Sequence, residues 1–213
     1  MGRKAVIFDL DGVIVSTDEY HFQAWKAIAD EEGIYFDQEI NQGLRGVSRM
    51  ESLEVLLRKS PRVYSAAEKE RLAQRKNELY RQLLEQLTPA DILGGVLTLL
   101  DSLKMHQIKM AIGSSSKNTP VILEKIGLTG FFDAVADGSE IHNSKPDPEV
   151  FLLAASKLVV EPFECVVVED AEAGLQAARA AGMYALGIGS PTALPSADTV
   201  ISSLEEFDLA LLD

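Results

Sequence analysis

The chain has 213 residues, 46% apolar and 25% charged, a balance that supports a packed core and excludes global disorder. Acids outnumber bases by 33 to 20, and the formal charge of −13 argues against a nucleic-acid partner and obliges any anion site to gather positive charge locally. No apolar run is long enough to span a bilayer, Asp9 and Asp11 break the only leader-like stretch, and Val6 stands where a myristoylation signal needs Ser or Thr, so no membrane association and a cytoplasmic location are expected.

In chain order, the first element is an apolar strand over residues 5–10, ending at Asp9, Asp11 and Gly12. Residues 17–88 then hold no convincing strand. An amphipathic helix is predicted over 20–31, with Phe22, Trp25, Ile28 and Ala29 on one side and Gly33 as its stop, followed by helices over 48–57 and 66–87. A turn-rich junction over 89–95 leads to a helix over 95–105 and a strand over 109–113. Asn118-Thr119-Pro120 reads as a helix start, with Gly127 as its stop. A strand over 134–136, a helix over 148–158, a strand over 165–168, a helix over 171–181 closed by Gly182, and strands over 185–188 and 199–201 complete the chain.

Most of these strands are apolar throughout, as strands covered on both faces are, and their alternation with helices implies βαβ units. The expected fold is therefore α/β: a Rossmann-like, doubly wound parallel sheet over 1–16 and 89–213, with an inserted α-helical cap over 17–88. The single cysteine, Cys165, cannot form an intramolecular disulfide, and its apolar run makes it a small buried side chain.

The strongest chemical signal is Phe8-Asp9-Leu10-Asp11-Gly12-Val13, two carboxylates closing a buried first strand. Buried carboxylates need partners, a metal or an opening, and ligands of open α/β sheets bind beyond the carboxyl ends of the strands. Other signals are weaker when taken singly. Ser114, Ser115 and Ser116 form a polar loop, Lys145-Pro146 opens a helix, and Glu169-Asp170 lies where acids often serve a helix N-terminus. Each stands at a predicted strand end or in a loop.

In that order and context these motifs resemble the haloacid dehalogenase superfamily, over the whole chain and including the position of the insertion. The resemblance implies that Asp9 is a nucleophile taking up a phosphoryl group and that Asp11 is the general acid and base. It implies a Mg2+ site made by Asp9, Asp11 through its backbone carbonyl, Asp170 and Glu169. Lys145 neutralises charge there, Ser114 and the backbone at Ser115 hold the phosphate, and Ser116, Lys117 and Asn118 are candidates for a second phosphate.

The run Asp18-Glu19-Tyr20-His21-Phe22-Gln23-Ala24-Trp25-Lys26 and the run Gly46-Val47-Ser48-Arg49 resemble the helical-cap sugar-phosphate mutases of that superfamily. By this resemblance Thr17, His21, Arg45, Gly46, Val47, Ser48, Arg49, Ser52 and Lys76 serve substrate binding and cap closure. Arg49 grips the non-reacting phosphate and His21 lies near Asp11. Arg45 stands where the branch commonly has Lys, and Ser115 where a small apolar residue is frequent. The expected activity is exchange of phosphate between the 1- and 6-positions of glucose on a small-molecule sugar phosphate, by a monomer. A phosphatase on the same core and a catalytically silent phosphosugar-binding protein are the alternatives. A lone arginine such as Arg49 is more often a solvated surface charge, and His21 between two aromatics is equally a packed side chain.

Overall fold

The computed structural model describes residues 2–212, so residues 1 and 213, the outer ends of the expected core, lie outside the described residues. Six strands form one parallel sheet: β1 (Ala5–Phe8), β2 (Lys109–Gly113), β3 (Ala134–Ala136), β4 (Cys165–Glu169), β5 (Tyr184–Ile188) and β6 (Thr199–Ile201). Their order is β3-β2-β1-β4-β5-β6. β1 is central, pairing Ala5 with Lys109 on one side and with Cys165 on the other. The chain builds outward from β1 first one way and then the other, so the order reverses beside β1 and opens a crevice beyond its carboxyl end.

The strands read as unbroken apolar runs because both faces are covered. Val6, Phe8, Met110, Ile112, Val166 and Val168 pack with α5 (Val96–Met105) and α6 (Thr119–Lys125). Ala5, Ile7, Ala111, Cys165, Val167 and Ala185 pack on the other face with α7 (Glu149–Leu158) and α8 (Glu172–Ala180). Burial pushes the Cys165 thiol up to about 12, which removes it from nucleophilic chemistry at neutral pH.

Between β1 and β2 lie α1 (Asp18–Glu31), α2 (Gln38–Gln42), α3 (Arg49–Leu57) and α4 (Ala66–Leu84). Trp25, Ile28, Phe36, Leu53, Leu56 and Ala73 form an apolar cluster made wholly within this segment. Ser48 and Ser65 each close a capping box, with Glu51 and Glu68, and fix where α3 and α4 begin. The segment joins the sheet through two adjacent strands of backbone: Val15 bridges Ile92 in antiparallel fashion, and Leu93 N–H donates to the Ile14 carbonyl at 2.9 Å. No helix among the described residues is long and apolar enough to cross a membrane.

Three local expectations need correction. The first strand stops at Phe8 rather than Leu10, because the chain leaves the sheet at Asp9 to form the Asp11–Val15 turn. The helix predicted to run to Leu87 ends at Leu84. Buried Leu87 extends the apolar pattern, but its N–H donates to Leu84 in a tight turn. α2 has no counterpart in the sequence reading: it is one short helix whose start is fixed by Asp37 accepting from Ile40 N–H at 2.9 Å.

Candidate active site

A cavity of about 410 Å3 lies between the carboxyl ends of the strands and the inserted helices. Of the residues singled out from sequence, Asp9, Asp11, Asp170, Ser114 to Asn118, His21, Arg45 to Arg49, Ser52 and Lys76 line it. Thr17, Lys145 and Glu169 do not line it and act from behind. Asp9 follows β1, Ser114 follows β2, and Glu169-Asp170 ends β4, so the parallel register delivers the motifs to one edge.

Lys145 is fully buried and donates to Asp9 Oδ1 at 2.5 Å and to Glu169 Oε2 at 2.8 Å. Burial alone would lower its pKa; Asp9 and Glu169 outweigh burial and hold the ammonium above its ordinary value. Asp9, Glu169 and Asp170 each offer a carboxylate oxygen within 4.8 Å of the others. Glu169 is held by burial and by the Asp9 charge at about 7, and Asp170 by burial with Glu169 and Asp9 at about 9. One ammonium does not neutralise three such acids, and this excess of hard oxygen charge fits a divalent cation of the magnesium or calcium type. Glu169 is held in this cluster from both sides, Oε2 by Lys145 and Oε1 by the N–H groups of Asp170 and Ala171. Gly12 and Gly174 make room for this cluster, since a Cβ on either would run into Asp170 or Glu169 respectively.

A consequence for stability follows from Asp170. Its folded pKa is raised from 3.8 to about 9, so the folded, metal-free chain holds a proton at this site that the unfolded chain has lost. The contribution of this group therefore falls as pH rises through that window. Asp170→Asn is expected to raise the thermal midpoint of chelator-treated protein, by more at about pH 8 than at about pH 5, and to lose stabilisation by added magnesium. An equal or falling midpoint across that range would contradict the cation-site reading.

Asp11 sits under a different set of contacts. Thr17 donates to it twice, from N–H to Oδ1 at 2.6 Å and from Oγ1 to Oδ2 at 2.5 Å, and Tyr80 OH lies 2.7 Å from Thr17 Oγ1. Thr17 precedes α1 but makes no side-chain cap there, since its hydroxyl is committed to Asp11. Burial raises the Asp11 pKa to about 6 against the Thr17 bonds, in the range a neutral-pH proton shuttle requires. His21 Nε2 is 3.5 Å from Asp11 Oδ2, and His21 Nδ1 is 2.9 Å from Lys76 Nζ. Burial and the neighbouring cations Lys76 and Arg49 keep the imidazole neutral. With Lys76 donating to Nδ1, the ring proton sits on Nε2 and faces Asp11.

The loop after β2 is built from its own hydroxyls. Ser116 N–H donates to Ser114 Oγ at 3.2 Å, and Asn118 N–H to Ser116 Oγ at 3.2 Å. Among the described residues the N–H groups of Ser115 and Lys117 are not spent on other groups, which leaves two donors for an anion. Gly138 allows β3 to approach, because a side chain there would meet the Ser115 carbonyl. Ser115 Oγ is buried without a hydrogen-bond partner. Ser115→Ala is therefore expected to stabilise the fold by about 1 kcal/mol, read by chemical denaturation, because it removes an unpaired hydroxyl from the interior. Loss of stability would show that the hydroxyl has a partner.

Two cap residues are committed within the protein. Ser48 uses its hydroxyl in the α3 capping box. Arg45 pairs with Asp18 and reaches Asp170 Oδ2 at 3.4 Å, so it answers the acids of the site. Arg49, by contrast, is half-buried on the cavity wall and pairs with no carboxylate among the described residues. Beyond these, Asn77, Tyr80, His142 and Ser144 also line the cavity without having stood out from the sequence, and Asp18 and Trp25, read there only as members of a resembling run, line it as well. Ala73, Lys76, Asn77 and Tyr80 fall at helical spacing on one face of α4, and Trp25 one turn after His21 on α1, so periodicity carried a signal for them.

Comparison with known proteins identifies the family. The profile of the haloacid dehalogenase-like hydrolases matches residues 3–182. The chain is 46% identical to the beta-phosphoglucomutase of Bacillus subtilis (strain 168), over 98% of its own length and 93% of that protein. It is 32% identical to a phosphorylated carbohydrates phosphatase of Thermotoga maritima, over 84% of its length and 82% of that protein. A crystal structure of beta-phosphoglucomutase from Clostridium difficile superposes with a TM-score of 0.93 at 40% identity, covering 98% of this chain and 94% of the other. The chain belongs to the haloacid dehalogenase-like hydrolase family.

Proposed function

We propose that this protein is a beta-phosphoglucomutase, interconverting beta-D-glucose 1-phosphate and glucose 6-phosphate through a phosphorylated Asp9 and glucose 1,6-bisphosphate. The observation that carries the reading is the placing of Asp11: its carboxyl borders the same cavity as Asp9 and is held by Thr17 and faced by His21. Likeness to the Bacillus subtilis enzyme over nearly the full chain supports the same reading.

Lys145 holds Asp9 Oδ1, leaving Oδ2 to attack phosphorus. The new bond joins Asp9 to phosphorus, the bond from phosphorus to the sugar oxygen breaks, and Asp11 gives that oxygen its proton. That is the recovery half. In the half before it, phospho-Asp9 passes its phosphoryl group to the 6-hydroxyl of glucose 1-phosphate, the bond from Asp9 to phosphorus breaks, and Asp11 takes the hydroxyl proton, giving glucose 1,6-bisphosphate. Magnesium held by Asp9, Asp170 and the Asp11 backbone carbonyl would offset the charge of the phosphoryl oxygens. Ser114 and the Ser115 N–H group face the phosphoryl group, while Arg49 with Ser116, Lys117 and Asn118 binds the distal phosphate. Residues 17–88 serve as the cap, swinging about 14–17 and 88–94 to exclude water that would otherwise hydrolyse phospho-Asp9.

The test supplies beta-glucose 1-phosphate, magnesium and a trace of glucose 1,6-bisphosphate, and measures glucose 6-phosphate and inorganic phosphate together. Glucose 6-phosphate is expected to form well ahead of free phosphate. Free phosphate without glucose 6-phosphate would assign a phosphatase instead.

A further inference from the structure

We propose that Asn77 is a positioning residue for the distal phosphate, acting through Asn118; the assignment rests on the mutase reading above. Asn118 is buried in the loop after β2, and its Nδ2 donates to Asn77 Oδ1 at 2.9 Å. Asn77 belongs to α4, 41 positions away in sequence, so the bond crosses from the inserted helices to the sheet.

A carboxamide has two ends of nearly equal shape and opposite hydrogen-bonding character. An acceptor on Asn77 decides which end of Asn118 is nitrogen. One Nδ2–H is used by that bond, and the second remains as an oriented donor beside the cavity that both residues line. Without the acceptor the Asn118 amide turns freely and presents its oxygen to an anion about as readily as its nitrogen. Asn118 is also tied at its backbone to Ser116 Oγ, so the side-chain bond completes its restraint.

Asn77 lies between Lys76 and Tyr80 on the α4 face that also reaches His21 and Thr17. The same helix that addresses Asp11 through Lys76 and Tyr80 thus addresses the phosphate loop through Asn77. The bond can form only when α4 is docked on the sheet, which ties recognition of the distal phosphate to closure.

The experiment compares wild-type protein, Asn77→Ala, Asn118→Ala and the double variant, each with two phosphoryl donors for Asp9. Glucose 1,6-bisphosphate carries a distal phosphate and acetyl phosphate does not. Alanine is a better helix former than asparagine, so α4 is retained in Asn77→Ala, which thermal denaturation checks. Asn77→Ala is expected to raise KM for the bisphosphate about tenfold with kcat nearly unchanged, and to leave phosphorylation by acetyl phosphate at the wild-type rate. It is expected to add nothing in the Asn118→Ala background. Equal losses with both donors, full additivity of the two substitutions, or no change in KM would overturn the assignment of Asn77. Wild-type protein that does not use the bisphosphate at all would overturn the mutase reading and this assignment with it.

Discussion

Asp9→Asn is expected to lower mutase turnover on the order of 10^5-fold or more, because the carboxamide cannot form the acyl phosphate through which both half-reactions pass. The fold is expected to survive. Asn keeps the shape of Asp9, and Asn Oδ1 can still accept from Lys145, which retains Glu169 as its charged partner. The variant also relieves the crowding of Asp9, Glu169 and Asp170, so its thermal midpoint in chelator is expected to stay near wild type. Loss of activity with an intact fold separates a chemical role from a structural one. Lys145→Met behaves in the opposite way: it strips two buried carboxylates of their shared ammonium and is expected to destabilise the protein by about 3 kcal/mol or more.

Asp11→Asn is the second large effect, a fall in mutase kcat of about 10^2- to 10^4-fold. Its signature is selectivity. A sugar alkoxide is a poor leaving group and needs the Asp11 proton, whereas acetate leaves unaided, so acetyl phosphate is expected to phosphorylate Asp9 at close to the normal rate. Tyr80→Phe gives a milder form of the same defect, because it removes one partner of Thr17 while leaving both Thr17 bonds to Asp11. A fall of about tenfold in kcat is expected. Parallel losses with both donors in Asp11→Asn would place this carboxyl in site assembly rather than in proton transfer.

The sheet was legible because its strands are short, apolar and buried on both faces, and their boundaries fall where the hydropathy changes. The run Cys165-Val166-Val167-Val168 is one such strand, and the helices read from 48 and 66 begin within a residue of those positions, where the structure shows capping boxes at Ser48 and Ser65. The motifs at the ends of β1, β2 and β4 stood out as a group rather than singly, because each follows an apolar strand and the parallel register brings those ends to one edge.

What escaped depends on contacts far apart in the chain. Asn77 and Tyr80 share the α4 face of Lys76 by periodicity, but what that face meets emerges only when α4 is laid against Asn118 and Thr17. Arg45 lines the cavity as expected, but its Asp170 partner lies 125 residues on and only the folded crevice brings them together. Glu169, given to the metal site by resemblance, does lie in the acidic cluster, and only the folded chain shows that Lys145 and backbone N–H groups hold its oxygens as well. A short helix such as α2, set by one Asp37 cap, has too little periodicity to register.

Covalent trapping is the most direct test of the central claim. Protein treated with radiolabelled acetyl phosphate and magnesium, quenched in acid and mapped by mass spectrometry, is expected to carry one phosphoryl group on the peptide containing Asp9. That label is expected to pass to the sugar when beta-glucose 1-phosphate is added before the quench. Label confined to another residue, or sustained turnover with Asp9 unmodified, would contradict the account.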